Sequence, residues 1–79
     1  MEDNFIRKLL FNRIEYLVKD LENDAKELPL NKELVFYSEG KLNECIRIYF
    51  KLFPFESLPD SLWDDVLHAW SLVNKKEEE

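Results

Sequence analysis

Apolar side chains recur along this chain every three or four residues, which is the spacing typical of amphipathic helices. Three stretches show the pattern, at about residues 3–24, 31–53 and 58–74. Pro29 and Pro54 separate them, because the residue before a proline is disfavoured in a helix. The pattern predicts an all-α fold, a small single-domain bundle of three to four helices with a long central helix. We expect the middle stretch to be that central helix, with the first and third packed across it.

The apolar stripes also predict which side chains fill the core. Further apolar residues widen the first stripe, so this helix is expected to be buried on more than one side. A choice stays open at two turns, since Cys45 or Ile46 can serve in the second stripe and Leu62 or Trp63 in the third. The predicted core is formed by Ile14, Leu17, Leu21, Val35, Leu42, Cys45, Ile46, Tyr49, Leu52, Trp63 and Val66.

Local signals indicate where the second and third helices begin. Asn31 is a favoured N-cap residue for the second helix. Ser57 followed by Asp60 resembles a capping box, and Pro59 is tolerated in a first turn, where its missing N–H is not needed. The third helix is therefore expected to begin near Leu58.

Gly40 and the C-terminal residues interrupt the regular pattern. A glycine inside a helix costs about 1 kcal/mol relative to alanine, so Gly40 indicates either a close helix–helix approach or a slight bend. Residues 75–79 form a polar tail that we expect to fray. The predicted folded domain therefore covers residues 1–74.

Composition restricts the class of protein. With 79 residues and 46% hydrophobic content, the chain has room for one domain with a real core. No apolar run approaches the ~20 residues of a membrane helix, and the first residues lack the basic region of a signal peptide. A single cysteine excludes an internal disulfide. These features favour a cytoplasmic protein that makes no membrane contact.

The charge of the chain indicates the kind of partner. Its formal net charge is -6, and its basic residues are scattered among acids. Tight direct binding to nucleic acid is disfavoured, because it normally needs a basic face. A basic protein partner is favoured instead, since opposite fields speed and steer encounter.

No combination of residues predicts a catalytic, metal or cofactor site. His68 lies four residues after Asp64, but a zinc site usually needs three or four ligands and the chain has no second histidine. Cys45 lies on the apolar stripe, where free cysteine is commonly a small core residue. No motif pairs it with a base. We therefore expect a protein that is not an enzyme and binds no cofactor.

Clustered acids are the candidate binding residues, because carboxylates can bind arginines through charge-assisted hydrogen bonds. Asp60, Asp64 and Asp65 gather on the third helix, and Glu15 and Glu22 lie on the first. The competing interpretation is a solvated helix face, which accounts for most charges of this kind.

Aromatic residues are a second candidate surface. At helical spacing in so small a protein they are more often core than a binding platform. Phe55 and Trp70, near the end or flank of a stripe, are the best candidates to be exposed.

Two stretches carry a resemblance to a known family. The first reads Glu27-Leu28, then Asn31, then Val35-Phe36-Tyr37-Ser38, and the second reads Leu58-Pro59, then Ser61-Leu62-Trp63. In order and near-correct spacing they resemble the haemolysin-expression-modulating family, the Hha, YmoA and Cnu proteins. Lys51-Leu52-Phe53 also falls where that family has a Lys-Leu-aromatic end to its long helix. The resemblance covers about residues 5–64.

The resemblance implies a fold and a function. Those proteins are almost entirely helical and catalyse nothing. They bind the N-terminal dimerisation region of H-NS-type nucleoid proteins, partly through acids that meet basic residues, and so tune the silencing of horizontally acquired genes. A chain similar to them is expected to modulate gene expression by binding an H-NS-like protein, acting on DNA only through it.

The chain also departs from the family at a position that matters for binding. The family aspartate that meets an H-NS arginine falls on Lys41, which reverses the charge. Glu39 or Glu44 is the candidate to substitute for it. The segment from residue 64 to 79 has no family counterpart.

A second function stays open beside the first. The chain has the composition of a small acidic inhibitor, such as an immunity protein, an antitoxin or a phage-encoded blocker. Such a protein uses acids and aromatic residues to plug a basic nuclease or DNA-binding surface. Lys41 argues for this alternative, whereas the two matching stretches argue for the H-NS-binding modulator.

Overall fold

The computed structural model describes the backbone of residues 2–78 and the side chains of residues 4–74. Within that part the chain forms three helices and no strand: α1 (Glu2–Lys26), α2 (Lys32–Leu52) and α3 (Asp60–Glu78). The protein is therefore all-helical, and its long axis of 45 Å compares with 18 and 17 Å across.

Helix α2 begins and ends where its local chemistry dictates. The Asn31 side chain accepts a hydrogen bond from the Leu34 N–H at 3.1 Å, so the predicted N-cap is confirmed. At the other end the Phe53 N–H donates to the Tyr49 carbonyl at 2.8 Å. The helix stops there because Pro54 disfavours a helical conformation at Phe53.

Helix α3 begins two residues later than its sequence signals predict. Trp63 N–H donates to the Pro59 carbonyl at 2.9 Å, which closes the first turn after the proline. Ser57 has a different role, since its carbonyl accepts from the Tyr49 hydroxyl at 3.2 Å. The helix continues to Glu78, four residues beyond the predicted end of the domain. Of the predicted polar tail, residue 79 and the side chains of 75–78 lie outside the described residues.

Helices α1 and α2 run antiparallel. At one end the Ser38 hydroxyl donates to the Asp24 carboxylate. At the other end the Arg7 guanidinium lies over the Phe53 ring, 5.2 Å from its centroid. The two helices therefore form a hairpin closed by the short connection through Pro29.

Helix α3 runs back beside the hairpin. The Trp63 ring meets the Phe50 ring edge-on at 6.4 Å between centroids, and the Trp70 Nε1–H donates to Asn43 Oδ1 at 2.8 Å. These pairs make α3 antiparallel to α2 and parallel to α1.

The first helix, not the middle one, is the central element. Helix α1 is the longest of the three and packs against both α2 and α3, whereas α2 and α3 touch at few positions. The expectation of a long central middle helix is therefore not confirmed. The physical reason is the wide apolar stripe of α1, whose residues Leu17 and Val18 point about 100° apart and are both buried.

The core lies along α1. It contains, at no more than 8% exposure, the buried side chains Ile14, Leu17, Val18, Leu21, Ala25, Val35, Leu42, Cys45, Ile46, Tyr49, Leu58, Leu62, Val66, Ala69 and Val73. Cys45 and Ile46 are both part of it, so the choice between them that the sequence left open does not arise.

Leu52 and Trp63 are corrections to the predicted core. Leu52 is 56% exposed, because Phe53 packs against the Tyr49 ring in its place, with 5.3 Å between the centroids. Trp63 is only half-buried at the edge of the core. Leu62 occupies the core position, and the next residue lies about 100° further around the helix.

Candidate protein-binding surfaces

Two surfaces lie on opposite sides of α1. Residues 13 and 15 of a helix are separated by about 200°. Arg13 therefore faces the groove between α1 and α2, and Glu15 faces the cleft between α1 and α3. Each surface has its own charge and its own apolar content, and these differences decide what each can bind.

The first surface, called here the acidic cleft, brings together carboxylates from two helices. It is a small depression of about 200 Å³ lined by Phe11, Glu15, Pro59, Ser61, Leu62 and Asp65. Glu15 and Asp65 are both exposed, and they are fifty residues apart in the sequence. The carboxylates share one depression because α3 lies beside α1.

Three other predicted acids lie on the two helices that form the acidic cleft. Glu22 is half-buried and follows Glu15 by seven residues, so the two share one stripe of α1. Asp60 and Asp64 are exposed on the first two turns of α3. One base moderates this cluster, since Lys19 Nζ lies 3.6 Å from a Glu15 carboxylate oxygen.

The second surface, called here the α1–α2 groove, is larger and mostly apolar. Its volume is about 580 Å³, and it opens to solvent. Its walls are formed by Arg13 and Leu17 of α1 and by Phe36, Tyr37, Gly40, Lys41, Glu44, Cys45 and Ile48 of α2.

The charged residues of the groove already have partners within the chain. Lys41 Nζ lies 3.6 Å from an Asp20 carboxylate oxygen and 4.8 Å from the centroid of the Tyr37 ring. Glu44 accepts two hydrogen bonds from Arg47, at 2.6 and 3.2 Å, and this contact lowers the pKa of the Glu44 carboxyl. The Lys41–Asp20 ion pair joins α2 to α1, whereas the Glu44–Arg47 ion pair lies within α2.

The side chains of Glu39 and Lys41 lie on different sides of α2, so one cannot replace the other in a contact. Lys41 lines the α1–α2 groove, whereas Glu39 is half-buried and already interacts within the chain. The reason is helical geometry, because two residues along a helix differ by about 200° in direction.

Gly40 contradicts the prediction of a close helix–helix approach. A Cβ added to it would have no heavy atom within 4 Å. The residue is exposed on α2, and its missing side chain leaves open space in the groove.

The predicted aromatic candidates separate clearly. Phe55 is 98% exposed in the connection before α3. Trp70 is half-buried, and its indole N–H is bound to Asn43. Trp70 thus joins α3 to α2, and only Phe55 is free to contact a partner through its whole ring.

The two reactive side chains of the chain do not form a site. Burial at the side of α2 that faces α1 raises the pKa of the Cys45 thiol, which keeps it protonated and poorly nucleophilic. His68 is exposed on α3. Among the described residues no group of three or more His, Cys, Asp or Glu is arranged to hold a metal ion.

The sequence did not indicate the α1–α2 groove. The signal that could have indicated it is a second repeat of three- and four-residue spacing, which lies beside the core stripe on each of these two helices.

None of the described helices is sufficiently long and apolar for a membrane span. Comparison with protein-family models, with curated proteins and with solved structures found no match to this chain.

Proposed function

We propose that this protein is a non-enzymatic binding module that recognises a basic protein surface through the acidic cleft. The observation that carries the proposal is that Glu15 of α1 and Asp65 of α3 line the same depression. Two carboxylates carried on separate helices offer hydrogen-bond acceptors in one depression, which suits the planar guanidinium of arginine.

The overall charge supports a basic partner. The chain carries a net charge of -6, so its field attracts a basic protein from a distance and raises the association rate. The cleft then supplies a specific contact. Lys19 beside Glu15 is 73% exposed, so a partner arginine can displace it at little cost.

Among basic partners we propose the dimerisation region of an H-NS-type nucleoid protein, and hence a cytoplasmic, Hha-like modulator of gene expression. The resemblance described above supports this choice. Its matching residues Val35–Ser38 lie in the first turns of α2, and its Lys51–Phe53 match lies at the end of that helix. The two motifs thus begin and end one long helix, as they do in the family.

The Lys41 charge reversal has a structural consequence for this proposal. Lys41 is held by Asp20 and covers the Tyr37 ring. An acid cannot contact a partner arginine from this position, and we propose that the acidic cleft on the other side of α1 recognises arginine in its place.

The test is a calorimetric titration of the protein into the N-terminal dimerisation domain of an H-NS-type protein. We expect binding that weakens with added salt and falls about tenfold or more in the double variant Glu15→Gln/Asp65→Asn. The matched control Glu27→Gln/Glu33→Gln makes the same change in charge at exposed positions elsewhere. Equal losses in both variants would show that net charge alone, and not the cleft, drives binding.

A second function is supported by a separate observation. Phe55 is almost fully exposed and lies five residues before Asp60, the first of the α3 acids. An exposed aromatic residue beside acids is typical of the contact by which a small inhibitor plugs a basic nuclease. Under this hypothesis the protein is an immunity protein, an antitoxin or a phage-encoded blocker.

Phe55→Ala separates the two functions. If the protein is an inhibitor, this variant should lose about tenfold or more in affinity for a basic nuclease domain encoded beside it. The Hha-like function predicts no affinity for that nuclease and little effect of Phe55→Ala on binding to the H-NS-type domain.

A further inference from the structure

The α1–α2 hairpin carries a second seam on each helix, turned away from α3. On α1 the positions are Ile6, Leu9, Arg13, Tyr16 and Asp20, and on α2 they are Leu34, Tyr37, Lys41, Glu44 and Ile48. Both sets follow the alternating spacing of three and four residues that forms the contact line between packed helices. The Lys41–Asp20 ion pair joins the two seams, so they lie on the same side of the hairpin.

The apolar residues of these seams are exposed. Ile6, Leu9 and Tyr16 on α1 are 40–59% exposed. Leu34, Tyr37 and Ile48 on α2 are 38–65% exposed, and Leu52 extends this row to the end of the helix. An exposed apolar surface spread over two helices is typical of an interaction site.

The charges on this face determine what fits it. The seams contain two bases, Arg13 and Lys41, and two acids, Asp20 and Glu44, so their charges sum to zero. Because these positions carry no net charge, a strongly basic partner is attracted to the other surfaces of the chain, where the excess of acids lies. In a two-fold interface the same face meets itself, and a face whose charges sum to zero meets its copy without net repulsion.

The size of the face is adequate for a modest interface. The α2 seam from Leu34 to Leu52 is about 27 Å long at 1.5 Å per residue. Two helices side by side are about 20 Å wide, which gives a footprint of roughly 500 Å² per copy and about 1,000 Å² in total. That total is at the lower limit for a specific interface, so the association is expected to be weak.

We propose that this face binds a second copy of the chain, so that two α1–α2 hairpins form a four-helix bundle with each α3 on the outside. A second copy is the partner we propose because the face is neutral and because its two seams can pack against the same two seams of another hairpin. The proposal is independent of the acidic cleft, which stays exposed in such a dimer.

Sedimentation equilibrium over a range of protein concentrations tests this proposal. We expect a monomer–dimer equilibrium that strengthens with added salt, because screening relieves the repulsion between two chains of charge -6. Ile48→Glu should raise the dimer Kd about tenfold or more, since it places a carboxylate in an apolar interface. The control Leu67→Glu adds the same charge at a residue of similar exposure on α3, 45% against 41%, and should change the Kd by less than about threefold.

Three results would overturn the proposal. One is a monomer at every concentration up to about 1 mM. Another is a dimer that Leu67→Glu disrupts and Ile48→Glu does not, in variants that both keep a wild-type circular dichroism spectrum. The third is a monomer whose binding to the H-NS-type domain is lost in Ile48→Glu, which would assign the face to that partner. Failure of the cleft variant to weaken H-NS binding would contradict the proposed function and leave the dimer unaffected.

Discussion

Single side chains join the helices at points that the hydrophobic pattern does not describe. Ser38 is 1% exposed, and its hydroxyl donates to the Asp24 carboxylate across the α1–α2 hairpin. Arg7 reaches over Phe53 and forms a 2.6 Å ion pair with Glu56, so α1 also holds the connection that leads into α3. These contacts join the elements at both ends of the α1–α2 hairpin.

Cys45 gives a prediction about pH at the same scale. Burial raises the pKa of its thiol in the folded protein, so the folded state holds this proton more tightly than the unfolded state. The resulting stability is fully present below the ordinary thiol pKa of about 8.5 and is lost as the pH rises through the folded value. We expect the free energy of unfolding in urea to fall more between pH 7.5 and about 9.5 in the wild type than in Cys45→Ala.

Tyr49 contributes to the alkaline loss of stability in both the wild type and Cys45→Ala. Burial raises the pKa of its hydroxyl as well, so some loss of stability in alkali remains in both proteins. Identical pH dependence in the wild type and Cys45→Ala would contradict the assignment of a thiol that is buried and protonated.

At the scale of the helices, Gly40 allows the effect of helix propensity on stability to be measured apart from the effect of side-chain contacts. The residue lies inside α2 with a negative φ, and a Cβ added there meets no heavy atom within 4 Å. Alanine therefore gains helix propensity and restricts the unfolded chain without a clash. Gly40→Ala should raise the free energy of unfolding by about 0.5–1 kcal/mol, as measured by urea denaturation.

The control for Gly40 is a second exposed helical residue that is not a glycine. Ser61→Ala lies on α3 and should change the stability by less than about 0.5 kcal/mol. A destabilised Gly40→Ala variant would show that the glycine serves a contact, as its position in the sequence first suggested.

For the whole molecule, the central position of α1 decides where the stability is concentrated. Its side chains are shared by two interfaces, whereas those of α2 and α3 serve mainly one. A chain of 79 residues has a small stability margin. Substitutions on the buried stripe of α1 should therefore be the most damaging.

Leu21→Ala tests that expectation. Leu21 is fully buried in α1, so its truncation should cost about 2–5 kcal/mol in the free energy of unfolding and unfold much of the protein. Leu67→Ala makes the same chemical change at a residue that is 45% exposed on α3 and should cost less than about 1 kcal/mol. Comparable losses at both sites, measured by thermal and urea unfolding, would contradict a core centred on α1.

The sequence by itself determined the local features of this protein. The spacing of apolar residues predicted an all-helical fold, Pro29 and Pro54 marked the connections, and the Asn31 cap lies where its chemistry requires. These features depend on neighbours within about four residues, which a pattern describes fully.

Only the tertiary structure decided which helix is central and which surfaces exist. Packing buried Leu62 and left Trp63 half-buried, exposed Leu52, and brought Asp65 and Glu15 to the same depression. Those outcomes depend on how the helices rotate about their axes and pack, because a turn of 100° per residue decides which of two adjacent positions faces a neighbouring helix. The acidic cleft and the α1–α2 groove arise from residues far apart in the chain, so packing alone creates them.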